Sequence, residues 1–281
     1  MVDRLSALLQ RFDLHARVVS GGPLAGVADL AAAPGTGHLH LLRRGALQVT
    51  GPQGLSQRVA EPSVLLLPCG LPHRLAADPL QGADIVTATV DFGAGDENPL
   101  LRSLPPLLCM PLAHGAGLDL GQQLLSAEVQ ARRCGHGAVV DRLAEVLVIQ
   151  LLRQALAEGL VDAGAMAGLS DPRLARALAA LHGDPSRAWT VDAMAATAGM
   201  SRARFAVHFA STVGVPPGEY LTSWRLGLAR QQLRRGRPVK EVAAEVGYAS
   251  PGAFGRVFLQ NVGATPGAWQ RSAGPGAAPL T

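Results

Sequence analysis

Apolar positions along the chain change rhythm twice. Residues 1–15 place Leu5, Leu8, Leu9 and Phe12 on one face of a short amphipathic helix. From about 16 to 92 the pattern becomes short β-rich runs between Gly/Pro turns: "ARVVS", "GVADLA", "HLHLL", "ALQVT", "SVLLLP", "HRLAA" and "ADIVTATVDF". Strands at this spacing predict a sandwich or barrel, with "VTGPQGL" as a hairpin tip. From about 117 the period is helical, in "LDLGQQLLSAEVQ" and then "GAVVDRLAEVLVIQLLRQALAEGL", where Val140, Leu143, Leu147 and Leu151 recur every three or four positions. A Gly/Ala-rich break at "VDAGAMAGLSDP" marks the expected domain boundary. A helix follows, with Asp171 at its N-cap and Pro172 as its first residue.

Two similar phrases close the chain. In the first, Thr190 caps "VDAMAATA", Gly199 ends it, and Ser201 caps "RARFAVHFASTVG", with Phe205 and Phe209 turned inward. In the second, "VKEVAAEV" is the supporting helix, "GYAS" the turn, and "PGAFGRVFLQNVG" the second helix, with Pro251 at its first position and Phe254 and Phe258 inward. Each reads as helix, short Gly-containing turn, helix. Between them "PGEYLTSWRLGLARQQLRRG" is one helix, with Tyr220, Trp224, Leu228 and Leu233 toward the core and Arg225, Arg230, Arg234 and Arg235 at the surface. A rod of ~20 residues is ~30 Å long, close to the ~34 Å between successive major grooves on one face of B-DNA.

Charge sharpens this picture. Residues 1–165 hold 12 basic and 15 acidic side chains, and residues 166–281 hold 13 and 6. The basic end is the candidate for meeting a polyanion. A 48% hydrophobic, 16% charged composition excludes a disordered polar chain. Three scattered cysteines, Cys69, Cys109 and Cys134, form no disulfide framework or CxxC pair. With no signal peptide at residues 1–18 and no membrane-length apolar run, a cytoplasmic protein that contacts no membrane is expected.

"MAATAGMSRARFAVHF", "GVPPGEYLTSWRLGLARQQL", "VKEVAAEVGYASPGAFGRVF" and "GATPGAW" resemble, in order and spacing, the DNA-binding domain of AraC-type transcription regulators. The resemblance implies binding of tandem major grooves in double-stranded DNA and control of initiation, with RNA polymerase as a partner. It places Ser201, Arg202, Ala203, Arg204, Ala206 and Val207 on the first reading helix and Ser250, Gly252, Gly255 and Arg256 on the second. Arg204 and His208 are expected to compensate for the apolar Val207. Backbone amides at both helix starts are candidate phosphate ligands.

"HLHLLRRGALQV" and "VLLLPCGLPHRL" resemble the cupin barrel found ahead of such domains. Strand alternation puts His38 and His40 on one face, and Pro68, Gly70 and His73 form a P-x-G-x-x-H pattern. The cupin resemblance makes His38, His40 and His73 a candidate ligand set for a divalent transition metal. The glutamate of enzymatic cupins is missing after His40, so no enzyme is expected. Cys69 and His73 are effector or redox candidates, and an apolar barrel interior suits a small effector. Helices after the barrel pair subunits in related regulators, so the Val140–Leu151 stripe is a homodimer candidate; it equally suits packing on its own barrel.

The expected fold is α+β in two domains: residues 1–165 a cupin-like β-barrel with flanking helices, and residues 170–272 all-α with two helix-turn-helix units. Residues 273–281 are expected to be a disordered tail. The expected function is a sequence-specific transcription regulator sensing a small effector, a metal or a redox signal. The alternatives are a cupin metalloenzyme with a helical appendage and a regulator acting through protein–protein contacts.

Overall fold

A computed structural model describes residues 3–31, 35–93, 98, 101–161 and 164–273. The expected tail lies outside these residues beyond 273. The chain forms two compact units, a sheet unit within residues 13–161 and a helical unit that joins the first dozen residues to residues beyond 161. Helix α1 (Ser6–Phe12) is thus part of the helical unit, whereas the sequence pattern assigned it to the sensor.

Among the described residues of the sheet unit, nine antiparallel strands make two sheets. They are β1 (His15–Leu24), β2 (Gly26–Leu30), β3 (Thr36–Gly45), β4 (Leu47–Thr50), β5 (Ser56–Val59), β6 (Ser63–Leu67), β7 (His73–Ala77), β8 (Ala83–Asp91) and β9 (Leu108–Pro111). One sheet has the order β1-β8-β3-β6-β9 and the other β2-β7-β4-β5. No ladder among the described residues joins the two sheets. Leu42, Leu47, Val49, Leu65 and Leu75 fill a core drawn from both sheets. The expected hairpin tip is a short 3₁₀ turn at Pro52–Gly54 between β4 and β5. Strands β5 and β9 escaped the sequence reading, β5 because three of its four residues are exposed and polar.

Helices α2 (Ala116–Ala131) and α3 (His136–Glu158) pack on each other, and α3 lies on β1. Gly121 permits this approach, since a Cβ there would stand 2.9 Å from Leu147. Of the expected subunit-pairing stripe, Val140, Leu147 and Leu151 are buried within the unit and Leu143 is half-buried. Intramolecular packing uses that stripe. A different set, Leu120, Leu124, Val139 and Val146, is exposed on the same two helices.

The helical unit contains α1, α4 (Gly164–Ser170), α5 (Leu174–Gly183), α6 (Val191–Ala198), α7 (Arg202–Val213), α8 (Pro217–Arg234), α9 (Val239–Glu245), α10 (Pro251–Val262) and α11 (Pro266–Ala273). Helix α1 packs on α5 and α8. Leu8 is fully buried, and Arg4 and Arg11 donate to the carbonyls of Leu169 and Gly183. At the centre, His182 stacks on Trp224 with ring centroids 4.0 Å apart and hydrogen-bonds the Tyr220 hydroxyl at 2.7 Å. Burial pushes the His182 pKa down to about 3, so it is neutral at physiological pH.

Helix α8 departs from its sequence reading at two positions. Arg230 is buried, with its guanidinium 6.0 Å from the Phe258 ring. Arg225 donates to the carbonyls of Pro185 and Arg187 at 3.0 and 2.9 Å. Both were expected at the surface. Each buries its stem while its charged end finds a carbonyl or an aromatic face. Gly247, at φ +86°, lets the turn before α10 come within 2.8 Å of the Pro185 carbonyl, measured from where a Cβ would stand.

Candidate nucleic-acid interface and sensor cavity

Both helix-turn-helix units form as their capping residues dictate. Thr190 Oγ1 accepts the Ala193 amide at 3.1 Å, and Gly199 closes α6 in the left-handed conformation. Ser250 Oγ accepts the Ala253 amide at 3.1 Å, and Pro251 opens α10. Ser201 sits at the N-cap of α7, but its side chain caps nothing. Helix α7 therefore keeps free amides at its start. At α10 the serine takes one amide and proline lacks another.

The inward faces are secured by aromatic pairs. Phe205 and Phe209 are buried with centroids 5.5 Å apart, and Phe254 and Phe258 are buried at 5.4 Å. This burial fixes which residues face out. On α7, Arg202, Ala203, Arg204 and Val207 are exposed, Ser201 is exposed at the cap, and Ala206 is half-buried. On α10, Gly252 and Arg256 are exposed beside the exposed cap Ser250, and Gly255 is half-buried. Leu259 and Gln260 extend that outer face, a pair the sequence reading passed over.

Ion pairing sorts the cations. Arg202 bonds Asp192 at 3.1 Å, and His208 bonds Asp171 at 2.8 Å. The expected compensation by His208 is weakened, because its Nε2 is already engaged. Arg204 and Arg256 form no ion pair among the described residues. Asp171, Pro172, Met200, Ala203, Arg204 and Val207 border a cavity of about 700 Å³ along the outer side of α7.

The sheet unit brings His38, His40 and His73 together. His40 and Thr87 are register partners on β3 and β8, and the Thr87 hydroxyl meets His40 Nδ1 at 3.0 Å. His40 Nε2 stands 2.8 Å from His73 Nε2. His73 Nδ1 lies 3.0 Å from the Leu71 carbonyl, which can only accept. With neutral rings this fixes one direction: Thr87 donates to His40, His40 to His73, and His73 to Leu71. Burial keeps the rings neutral. It holds His40 well below the usual imidazole range, with the nearby His73 and His38 adding to the effect, and it lowers His38 and His73 too.

Among the described residues no group of three or more His, Cys, Asp or Glu side chains is placed to hold a metal ion. The His38 ring runs parallel to His40 at 6.0 Å and edge-on to His73 at 5.0 Å. Its buried Nδ1 has no partner among the described residues. His38 and Thr87 reach a cavity of about 660 Å³ between the sheets, whose other lining residues include Val19, Leu24, Leu30, Leu75 and Ile85 and the polar Ser20 and Asp29. None of Cys69, Cys109 and Cys134 forms a disulfide among the described residues. Burial, aided by Glu61, pushes the Cys109 thiol up to about 11, so it is not an activated thiolate.

Two helix-turn-helix units joined by one helix, beside a separate sheet-built unit, define a DNA-binding protein of two parts. Residues 3–157 match the family described as Cupin, and residues 194–272 the family described as Helix-turn-helix domain. The chain is 31% identical to an AraC-like transcription regulator of Streptomyces lividans and 33% identical to one of Streptomyces antibioticus. Each alignment covers 96% of this chain and 97% of the relative. Among solved structures, ToxT from Vibrio cholerae O395 is 15% identical with a TM-score of 0.40, over 93% of this chain and 98% of that one. The chain belongs to the AraC-type transcription regulators that carry an N-terminal cupin domain. No helix among the described residues is long and apolar enough to cross a membrane.

Proposed function

We propose that α7 and α10 enter successive major grooves of double-stranded DNA, held apart by α8, and that a small ligand in the inter-sheet cavity biases this binding. The observation that carries the reading is the matched pair of outer faces, each bearing one arginine without an ion pair, Arg204 and Arg256. An 18-residue α8 is ~27 Å long at ~1.5 Å per residue, which suits two helices seated one turn of DNA apart. Ser201, Arg202, Ala203, Ala206, Val207, Ser250, Gly252 and Gly255 form the rest of the two reading faces.

The ligand we infer is a mainly apolar molecule with one polar group directed at His38 and Thr87. The cavity volume lies in the range that takes such ligands, and the unpartnered His38 nitrogen supplies a group for the polar end. The three imidazoles are read here without a metal, on the hydrogen bond between His40 and His73 at 2.8 Å. The cluster is read as a neutral hydrogen-bonded chain, and metal analysis of the purified protein decides between the two. The protein acts as a regulator rather than an enzyme, in the compartment that holds its DNA, with RNA polymerase as its downstream contact. A second copy of the chain is the partner proposed for Leu120, Leu124, Val139 and Val146.

The test is footprinting and salt-dependent binding of the full chain on its own upstream region. Protection of two adjacent major grooves is expected, with affinity falling steeply as salt rises. Arg204→Ala and Arg256→Ala should each weaken binding about tenfold and lower the salt slope by about one if the contact is to phosphate. Binding indifferent to salt and to both substitutions would refute the reading.

A further inference from the structure

Helix α7 sets a branched apolar side chain at the middle of its outward face. Val207 is 72% exposed, while Phe205 and Phe209 on the opposite side are 0% and 1% exposed. Rotating α7 to hide Val207 would lift the two phenylalanines out of the core. The position is therefore committed to facing away from the unit. One turn earlier the exposed Ala203 extends the same apolar strip.

The polar side chains around this strip are held by their own unit. Arg202 is taken by Asp192 and His208 by Asp171. What α7 offers a partner at its centre is a surface of methyl groups beside a single unpaired guanidinium, Arg204.

Base edges in the major groove differ in what they can accept from such a surface. Guanine, adenine and cytosine present acceptors or amino donors, and thymine adds a 5-methyl group. Val207 has no donor or acceptor. Pressed on a cytosine amino group or a guanine oxygen, it displaces water and replaces no hydrogen bond. Pressed on a thymine methyl, it buries apolar surface on both sides and leaves no polar atom unpaired. We propose that Val207 is a specificity-determining residue, selecting a thymine in the half-site under α7 by its 5-methyl group, with Ala203 widening the same contact. This rests on α7 being a major-groove helix, as proposed above.

The test removes only the methyl. In a duplex taken from the footprint, each thymine under α7 is replaced singly by deoxyuridine, and binding of the full chain is measured by fluorescence anisotropy. One thymine, or two neighbouring ones, should lose about fourfold in affinity on replacement, the equivalent of one buried methyl. In Val207→Ala that preference for thymine over deoxyuridine should shrink toward one, with the thermal midpoint unchanged because the side chain is exposed. Arg204→Ala, by contrast, should weaken binding and leave the preference intact. A footprint in which no thymine responds, or a preference that survives Val207→Ala, overturns the assignment of Val207 alone. Absence of any footprint overturns the DNA-reading assignment on which it rests.

Discussion

His208, on the reading helix α7, donates to Asp171 at 2.8 Å, and the other oxygen of the same carboxylate accepts the backbone amides of Arg173 and Leu174 at the start of α5. One carboxylate thus caps one helix and pins another. Burial alone would raise the Asp171 pKa, but the hydrogen bonds from Leu174, His208 and Arg173 outweigh it and the net shift is downward. Asp171→Ala should cost about 1 kcal/mol of stability and loosen α7 against α5. A lower thermal midpoint, together with DNA affinity reduced several-fold, checks this. Asp171→Asn keeps an acceptor for the amides, so it should recover most of the stability.

Acid should destabilise the helical unit through His182. The unfolded imidazole takes up a proton below its ordinary value of about 6.5, while the folded one resists until about 3. The stability contribution is therefore complete above pH 6.5 and is lost as pH falls from 6.5 toward 3, at up to about 1.4 kcal/mol per pH unit. Urea unfolding of the full chain, followed by tryptophan fluorescence at pH 7.5 and 5.5, measures the loss. Trp224 reports on this unit directly, because it stacks on the ring in question. His182→Leu should flatten the pH dependence, even though the Tyr220 hydroxyl loses its partner.

Truncation of Leu8 should be felt in the reading unit. Leu8→Ala removes a fully buried side chain from α1, whose partners are α5 and α8. A cost of about 2–5 kcal/mol is expected. Hydrogen exchange localises it: faster exchange in α5 and α8, with β3, β6 and β8 unchanged, is the predicted outcome.

Much of this architecture was legible in the chain because local chemistry governs it. Thr190 and Gly199 set the ends of the supporting helix α6, and Ser250 and Pro251 the start of the reading helix α10, through their own backbone geometry and hydroxyl groups. The i, i+4 phenylalanine pairs fix which side of each helix is buried. Strand alternation placed His38 and His40 on one face, and both are found buried there. What could not be read depends on partners distant in sequence. Nothing near Leu5 and Leu8 says that they belong with α5, some 170 residues later. Arg225 and Arg230 look like surface cations until a carbonyl from residue 185 and the ring of Phe258 are brought to them. The stripe from Val140 to Leu151 is equally apolar whether it meets a sheet or another subunit. At the sensor, spacing brought the three histidines together but gave no distance between His40 and His73.

The placement of α1 has a consequence for how the chain matures at the ribosome. Helix α1 is made before the sheet body and the rest of its own unit after it, so α1 waits with Leu8 bare while the sheet body is translated between them. A fragment beginning near residue 164 would lack that plug altogether, leaving a greasy slot on α5 and α8 open to water and to neighbouring molecules.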